Sequence, residues 1–285
     1  MKECIRAPMP ELPEVETIVR ALRDVVTGAR IDRVVYASRR AALGNRRDWR
    51  EQLRGRIIED VERRGKHMIF GLSGEAYLVL HLRMTGRLLL RAPRAGREPH
   101  DRLILALGGS RPASLRHLVL VDTRQFARVD FCPPGSLHLH PGLSKLGPEA
   151  TEISEQQLCR LTARSQRPIK ALLLDQRCLA GLGNIYADES LFAAGIHPAA
   201  RCDLLDRRRL RRLRTAIHRI LAAAIAACGT TFDTFSDLSG QAGGFAPRLK
   251  VYGRTGEPCR VCGRPIARMV IVGRGTHFCP RCQKI

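Results

Sequence analysis

The spacing of apolar positions changes along the chain, and each change marks a new kind of element. Val15, Ile18, Val19, Leu22 and Val25 recur at three- and four-residue intervals from Glu14, and Gly28 fits a stop, so this stretch reads as a helix. Eight short β-rich runs follow, at 31–37, 56–62, 67–72, 76–82, 86–90, 102–107, 117–122 and 126–131, each set off by turn residues. Such a series predicts a mainly antiparallel sandwich or barrel. Gly142 to Glu149 reads as a link. Beyond it the spacing is helical again, near 154–164, 168–177, 185–194 and 203–227. Near the end, Met269–Val272 and Thr276–Phe278 read as a hairpin turning at Gly273-Arg274-Gly275. The predicted fold class is α+β, strands first and helices second.

Composition narrows the partner. The 285 residues carry 49 Lys+Arg against 27 Asp+Glu, a net charge of +22. That excess predicts a polyanion, most simply nucleic acid; a basic protein that is merely soluble is the competing reading. No apolar run approaches the roughly 20 residues of a membrane span, and no secretory signal is visible, so a cytoplasmic location is expected. Arginine is the default cation. Lysine occurs only at positions 2, 66, 145, 170, 250 and 284, which makes Lys66 and Lys170 more informative. The arginines at 207, 208, 209, 211, 212 and 214 read as a solvated helix face before a binding surface. Cys4, Cys132, Cys159, Cys178, Cys202 and Cys228 are scattered and read as reduced thiols.

Three local patterns carry chemistry. Cys259-x2-Cys262 and Cys279-x2-Cys282 stand 16 residues apart, a spacing that places four thiolates around one zinc ion with no open position, hence a structural site. Two disulfides or a redox pair are the alternatives. In Met9-Pro10-Glu11-Leu12-Pro13-Glu14-Val15-Glu16 the two acids Glu11 and Glu14 and the two prolines stand ahead of the helical spacing. A chain-terminal proline is a secondary amine that can attack a sugar carbon and leave an iminium, with Glu11 moving protons. The plainer reading is a helix entry shaped by proline and favoured by acids. Leu179-Ala180-Gly181-Leu182-Gly183-Asn184-Ile185-Tyr186 exposes amides before a helix, suited to a phosphate, with Asn184 as cap or donor. A plain helix–turn–helix corner competes with it. Residues 236–247 hold Gly240, Gly243 and Gly244 and read as a loop, either a lid or a linker.

These pieces, together with Arg63-Arg64-Gly65-Lys66-His67, His81-Leu82-Arg83-Met84-Thr85-Gly86 and Asp122-Thr123-Arg124-Gln125-Phe126, resemble the formamidopyrimidine-DNA glycosylase family from Pro10 to Lys284. The resemblance implies an N-terminal catalytic β-sandwich with flanking helices over 10–141 and a linker over 142–153. A helical helix–two-turns–helix domain over 154–247 and a four-cysteine zinc-finger hairpin over 248–285 would follow. It implies Pro10 as nucleophile on C1′, Glu11 as proton donor and acceptor, and Lys66 and Arg274 at the phosphates during successive eliminations. Met84, Arg124 and Phe126 would fill the space of an extruded nucleotide, at an unstacking cost of a few kcal/mol. His100, Lys170 and Asn184 would contact DNA, and 236–247 would cover the everted base. Cys259, Cys262, Cys279 and Cys282 would hold zinc.

The implied activity is excision of oxidised purines (8-oxoguanine and formamidopyrimidines) from double-stranded DNA, with strand nicking by β,δ-elimination, in a monomer. An oxidised-pyrimidine glycosylase of endonuclease VIII type is the alternative within the class. The family chain begins at the methionine before the proline, so translation from Met9 is expected here, with 1–9 as an extension or mis-assigned start. A proline inside a chain is an amide and cannot attack C1′. An internal Pro10 would therefore leave a non-catalytic DNA-damage binder.

Overall fold

Leu12 is the first residue of a helix that belongs to two cores at once, and this places the chemistry-bearing N-terminal motif between them. The computed structural model describes residues 9–38, 42–43, 49–109, 114, 116–231 and 243–285; the tail 1–8 lies outside them. Helix α1 (Leu12–Val26) buries Val15, Ile18, Val19 and Leu22 against the strands of the first half, while Leu12 packs into the helical second half.

The first half is β1 (Arg30–Ala37), β2 (Ala42–Leu43), α2 (Trp49–Leu53), β3 (Ile58–Arg64), β4 (His67–Leu72), β5 (Ala76–His81), β6 (Gly86–Arg91), β7 (Asp101–Gly108), β8 (His117–Asp122) and β9 (Arg128–Cys132). They form two sheets, ordered β1-β7-β8-β6 and β2-β9-β5-β4-β3. All pairings are antiparallel except β2 with β9. Two separate sheets make this a sandwich and not a barrel. The period of two explains the core: Leu103, Leu105 and Leu107 of β7 face inward with Met68, Phe70, Leu78, Leu88 and Leu120. Ile104 points to the opposite face, beside Val119 and Val121. Burying each such side chain stabilises the sandwich by roughly 1.5–3 kcal/mol.

The second half contains α3 (Glu155–Ala163), α4 (Ile169–Leu174), α5 (Asn184–Ala194), α6 (Arg207–Ala226), β10 (Ala267–Ile271) and β11 (Arg274–Phe278). Ser154 and Gln157 cap α3 reciprocally, at 3.1 and 2.9 Å, and Asp206 caps α6 by accepting from Arg209 N at 2.7 Å. The apolar faces of α4, α5 and α6 meet at Leu172, Tyr186, Leu191, Leu213 and Ile217. A small separate cluster of Val251, Cys259, Ile266 and Cys279 supports the hairpin.

Several boundaries differ from expectation. α4 stops at Leu174, because Asp175 turns the chain and its carbonyl accepts from Cys178 N and Leu179 N. α6 starts at Arg207, after a single 3-10 turn at Cys202–Leu204. The short β2 and α2 carry too few residues to show a period. The final hairpin turns at Val272-Gly273, both with positive φ (44° and 71°), the two-residue geometry that matches strand twist. Arg274 therefore opens β11 opposite Ile271 and is not the central residue of the turn.

Candidate active site

The N-terminus of α1 enters a crease between the two cores. Pro10 is buried and Glu11 is 2% exposed. Glu11 accepts from Ile185 N at 2.9 Å and from Tyr186 N at 3.5 Å. These are the free amides at the start of α5. The expectation that the glycine turn presents its amides to a phosphate is thus corrected: a carboxylate of the same chain occupies them. The glycines are there for space. A Cβ on Gly183 would overlap the Glu11 carboxyl, and one on Gly181 would overlap Leu12. Burial pushes the Glu11 carboxyl up to about 7, against the pull of Lys66.

Glu14 lies under Glu11. It accepts from Glu11 N at 2.9 Å, Thr230 N at 2.7 Å and the Tyr186 hydroxyl, and burial raises its pKa. Sequence reasoning treated it as one of two helix-entry acids. Its place three residues after Glu11, at the helix entry, is local, but its bonds to Tyr186 and Thr230 reach 172 and 216 residues along the chain and left no sign in the sequence.

Lys66 sits in the turn between β3 and β4. It is 5% exposed, and its ammonium makes no hydrogen bond or ion pair with another described residue. Burial lowers its pKa; Glu11 and Glu14 oppose this and Arg274 adds to it. An enclosed amine that feels the charge of two carboxylates suits an acid–base or phosphate-contacting role. The turn itself is fixed from behind. Glu149, in the segment expected as a linker, accepts from Arg63 at 2.5 Å, Arg64 at 2.6 Å and Gly65 N at 2.6 Å.

Arg274 is exposed at the start of β11, and its hairpin is held by α4 and α5. Asn184 Nδ2 donates to Gly275 O at 3.0 Å. Lys170 donates to Gly275 O at 3.1 Å and Thr276 Oγ1 at 2.9 Å, and pairs with Asp188 at 2.7 Å. Lys170 is wholly buried. Lys170 was expected at a phosphate; here its ammonium has three internal partners, through which it fixes the backbone beside Arg274.

On the sandwich, the side chains expected to fill an extruded nucleotide's space are brought together. Arg124 Nη1 lies 3.5 Å from the Met84 sulfur, and its guanidinium stacks over Phe126 at 4.8 Å. Phe126 is 45% exposed. An aromatic left half in water forgoes on the order of 1 kcal/mol of burial, which favours a partner surface over a core role. His100 is also exposed, on the approach to β7. Of the loop 236–247, residues up to 242 lie outside the described residues, so its covering role is not placed.

The four cysteines converge, with all four Sγ atoms within 4.8 Å of one another. Cys262 and Cys279 are 3.4 Å apart and Cys259 and Cys282 4.0 Å. Tetrahedral zinc with bonds of about 2.3 Å needs sulfurs ~3.8 Å apart. The set fits one structural zinc ion. The arginines of α6 divide: Arg207 and Arg211 pair with Glu155, and Arg208 and Arg212 face solvent.

Comparison with known proteins agrees with this layout. The chain matches the family models for the formamidopyrimidine-DNA glycosylase N-terminal domain over 9–129, the H2TH domain of that glycosylase over 146–236, and the zinc finger found in FPG and IleRS over 256–285. The formamidopyrimidine-DNA glycosylase of Moorella thermoacetica is 46% identical over 264 residues, 92% of this chain and 94% of that protein. That of Symbiobacterium thermophilum is 42% identical over 97% of this chain and 90% of its own. The crystal structure of the MutM (Fpg) protein from Thermus thermophilus superimposes with a TM-score of 0.85 at 42% identity, covering 96% of this chain and 98% of that one. Lactococcus lactis Fpg in complex with abasic-site DNA gives 0.89 at 35% identity, covering 97% and 100%.

Proposed function

The chain belongs to the formamidopyrimidine-DNA glycosylase family, and we propose that it is a bifunctional base-excision enzyme that excises oxidised purines from duplex DNA and then nicks the strand. The observation that carries this reading is the crease at the start of α1. There Pro10 adjoins a carboxyl with a pKa of about 7, and Lys66, enclosed and without a hydrogen-bond or ion-pair partner among the described residues, feels the charge of that carboxyl and of Arg274.

Pro10, as a chain-terminal amine, attacks C1′; the N–C1′ bond forms and the base leaves with its bonding electrons. Protonated Glu11 delivers a proton to O4′ as the C1′–O4′ bond opens, which leaves an iminium between Pro10 and C1′. Loss of a C2′ proton then expels the 3′ phosphate, and loss of a C4′ proton expels the 5′ phosphate. Lys66 and Arg274 hold those phosphates. Met84, Arg124 and Phe126 occupy the gap in the duplex, and His100 and Asn184 contact the backbone. In the 285-residue chain Pro10 follows Met9 and its nitrogen is an amide; the reaction needs a chain whose first residue is Pro10. All these side chains come from one chain, which favours a monomer acting on nucleoid DNA in the cytoplasm.

Cleavage of 8-oxoguanine and thymine-glycol duplexes, measured side by side with a chain beginning at Pro10, tests the reading. Faster cutting of the 8-oxoguanine strand is expected. The reverse order would make this an oxidised-pyrimidine glycosylase, and tight binding of abasic duplex without any cutting would make it a damage binder.

A further inference from the structure

Asp122, at the end of β8, is wholly buried beneath half-buried Met84 and the exposed Arg124 and Phe126. Its Oδ1 accepts from the Thr85 hydroxyl and from Arg124 N at 3.1 Å; its Oδ2 accepts from Phe126 N and Ala127 N, both at 2.7 Å. Its backbone reaches a third segment. Asp122 N donates to His100 O at 2.9 Å, and Asp122 O accepts from Arg102 Nε at 2.7 Å. Met84, His100, Arg124 and Phe126 are therefore each one of these bonded residues or the immediate neighbour of one.

The two loops also start from one rung of the sheet. Gly86, which ends the Met84 loop, pairs with Asp122. A Cβ on Gly86 would overlap Leu82 O, so that loop is already as tight as the backbone allows. The other loop turns through Gln125 in the left-handed region, at φ 57°, a conformation its own side chain does not favour. The carboxylate's bonds on both sides of Gln125 hold it there.

We infer that Asp122 is a positioning residue that locks the Met84 loop and the Arg124–Phe126 loop into one wedge, so that base extrusion depends on it although it touches no DNA. A carboxylate is required chemically: two oxygens receive four donors, and an amide would turn a donor of its own toward N–H groups. The inference rests on the glycosylase reading above.

The test compares wild type, Asp122→Asn and Thr85→Val, each beginning at Pro10. Single-turnover cutting is followed on an 8-oxoguanine duplex and on the same duplex with a pre-formed abasic site. 2-Aminopurine beside the lesion reports unstacking. For Asp122→Asn the expected result is a loss of at least tenfold on 8-oxoguanine and less than threefold on the abasic duplex, with a weakened fluorescence rise. Thr85→Val removes one of the four donors and frees only the Met84 side; about a threefold loss confined to the 8-oxoguanine duplex is expected. Equal losses on both duplexes, or full extrusion signals in both variants, overturn the inference. If Asp122→Asn does not fold, Thr85→Val decides alone, and an unchanged signal there overturns it. A wild type that cuts neither duplex refutes the functional reading itself and the inference with it.

Discussion

Glu11 is an acid that the fold keeps partly protonated near neutral pH. Its pKa rises from 4.5 to about 7 through burial, so between those values the folded protein holds a proton that the unfolded chain has released. Stability from this group is therefore highest at low pH and falls as pH climbs toward 7. Above that, with about 1.36 kcal/mol per pH unit, the cost is on the order of 3 kcal/mol. Glu11→Gln is expected to abolish cutting, yet to raise resistance to urea at pH 8, with the gain shrinking toward pH 5. Equal destabilisation at both pH values would contradict this account of Glu11. At this scale the sequence was legible where a residue type is chemically rare. Lys66, the cysteines and Pro10 were all singled out. It was opaque for Glu14 and Glu149, which accept hydrogen bonds from distant segments, and for Asp122, whose bond from Thr85 joins two loops 37 residues apart. Lys170 was singled out too, but its burial against Asp188 was not legible.

Elements show a similar division. Helix and strand spacing located α1, α3, α5, α6 and the main strands, because burial on one face imposes a period. Closely packed turns were harder. Gly181 and Gly183 looked like a phosphate cradle and instead admit Leu12 and Glu11, a distinction that depends on what lies opposite. The β10–β11 hairpin is anchored at one end by the four cysteines and at the other by Lys170 and Asn184. Metal removal should loosen the hairpin and weaken binding of abasic duplex at least tenfold, measured by anisotropy with metal content checked. Unchanged affinity in proven metal-free protein would remove the finger from the interface. Arg274→Ala should lower affinity less, and it should shift products from doubly to singly eliminated ends on a sequencing gel. An unaltered product ratio would show that Arg274 takes no part in the second elimination.

Across the whole molecule, α1 joins the two cores and carries Pro10 and Glu11 into the crease between them. Neither half holds the candidate site alone: Glu11, Lys66 and the wedge come from the first, and the amides on Glu11, Thr230 and Arg274 from the second. The +22 charge fits a DNA-binding chain. The division into a strand half and a helical half was legible from periodicity, but the crease was not, since it is defined by contacts across 174 residues of sequence. Borohydride trapping addresses the central claim directly, because it reduces an iminium to a stable bond. A chain beginning at Pro10, incubated with an 8-oxoguanine duplex and borohydride, should yield a covalent protein–DNA band that maps to Pro10. A folded, zinc-loaded protein that binds abasic duplex and gives no band would contradict the account and return Pro10 to the role of a helix-entry proline.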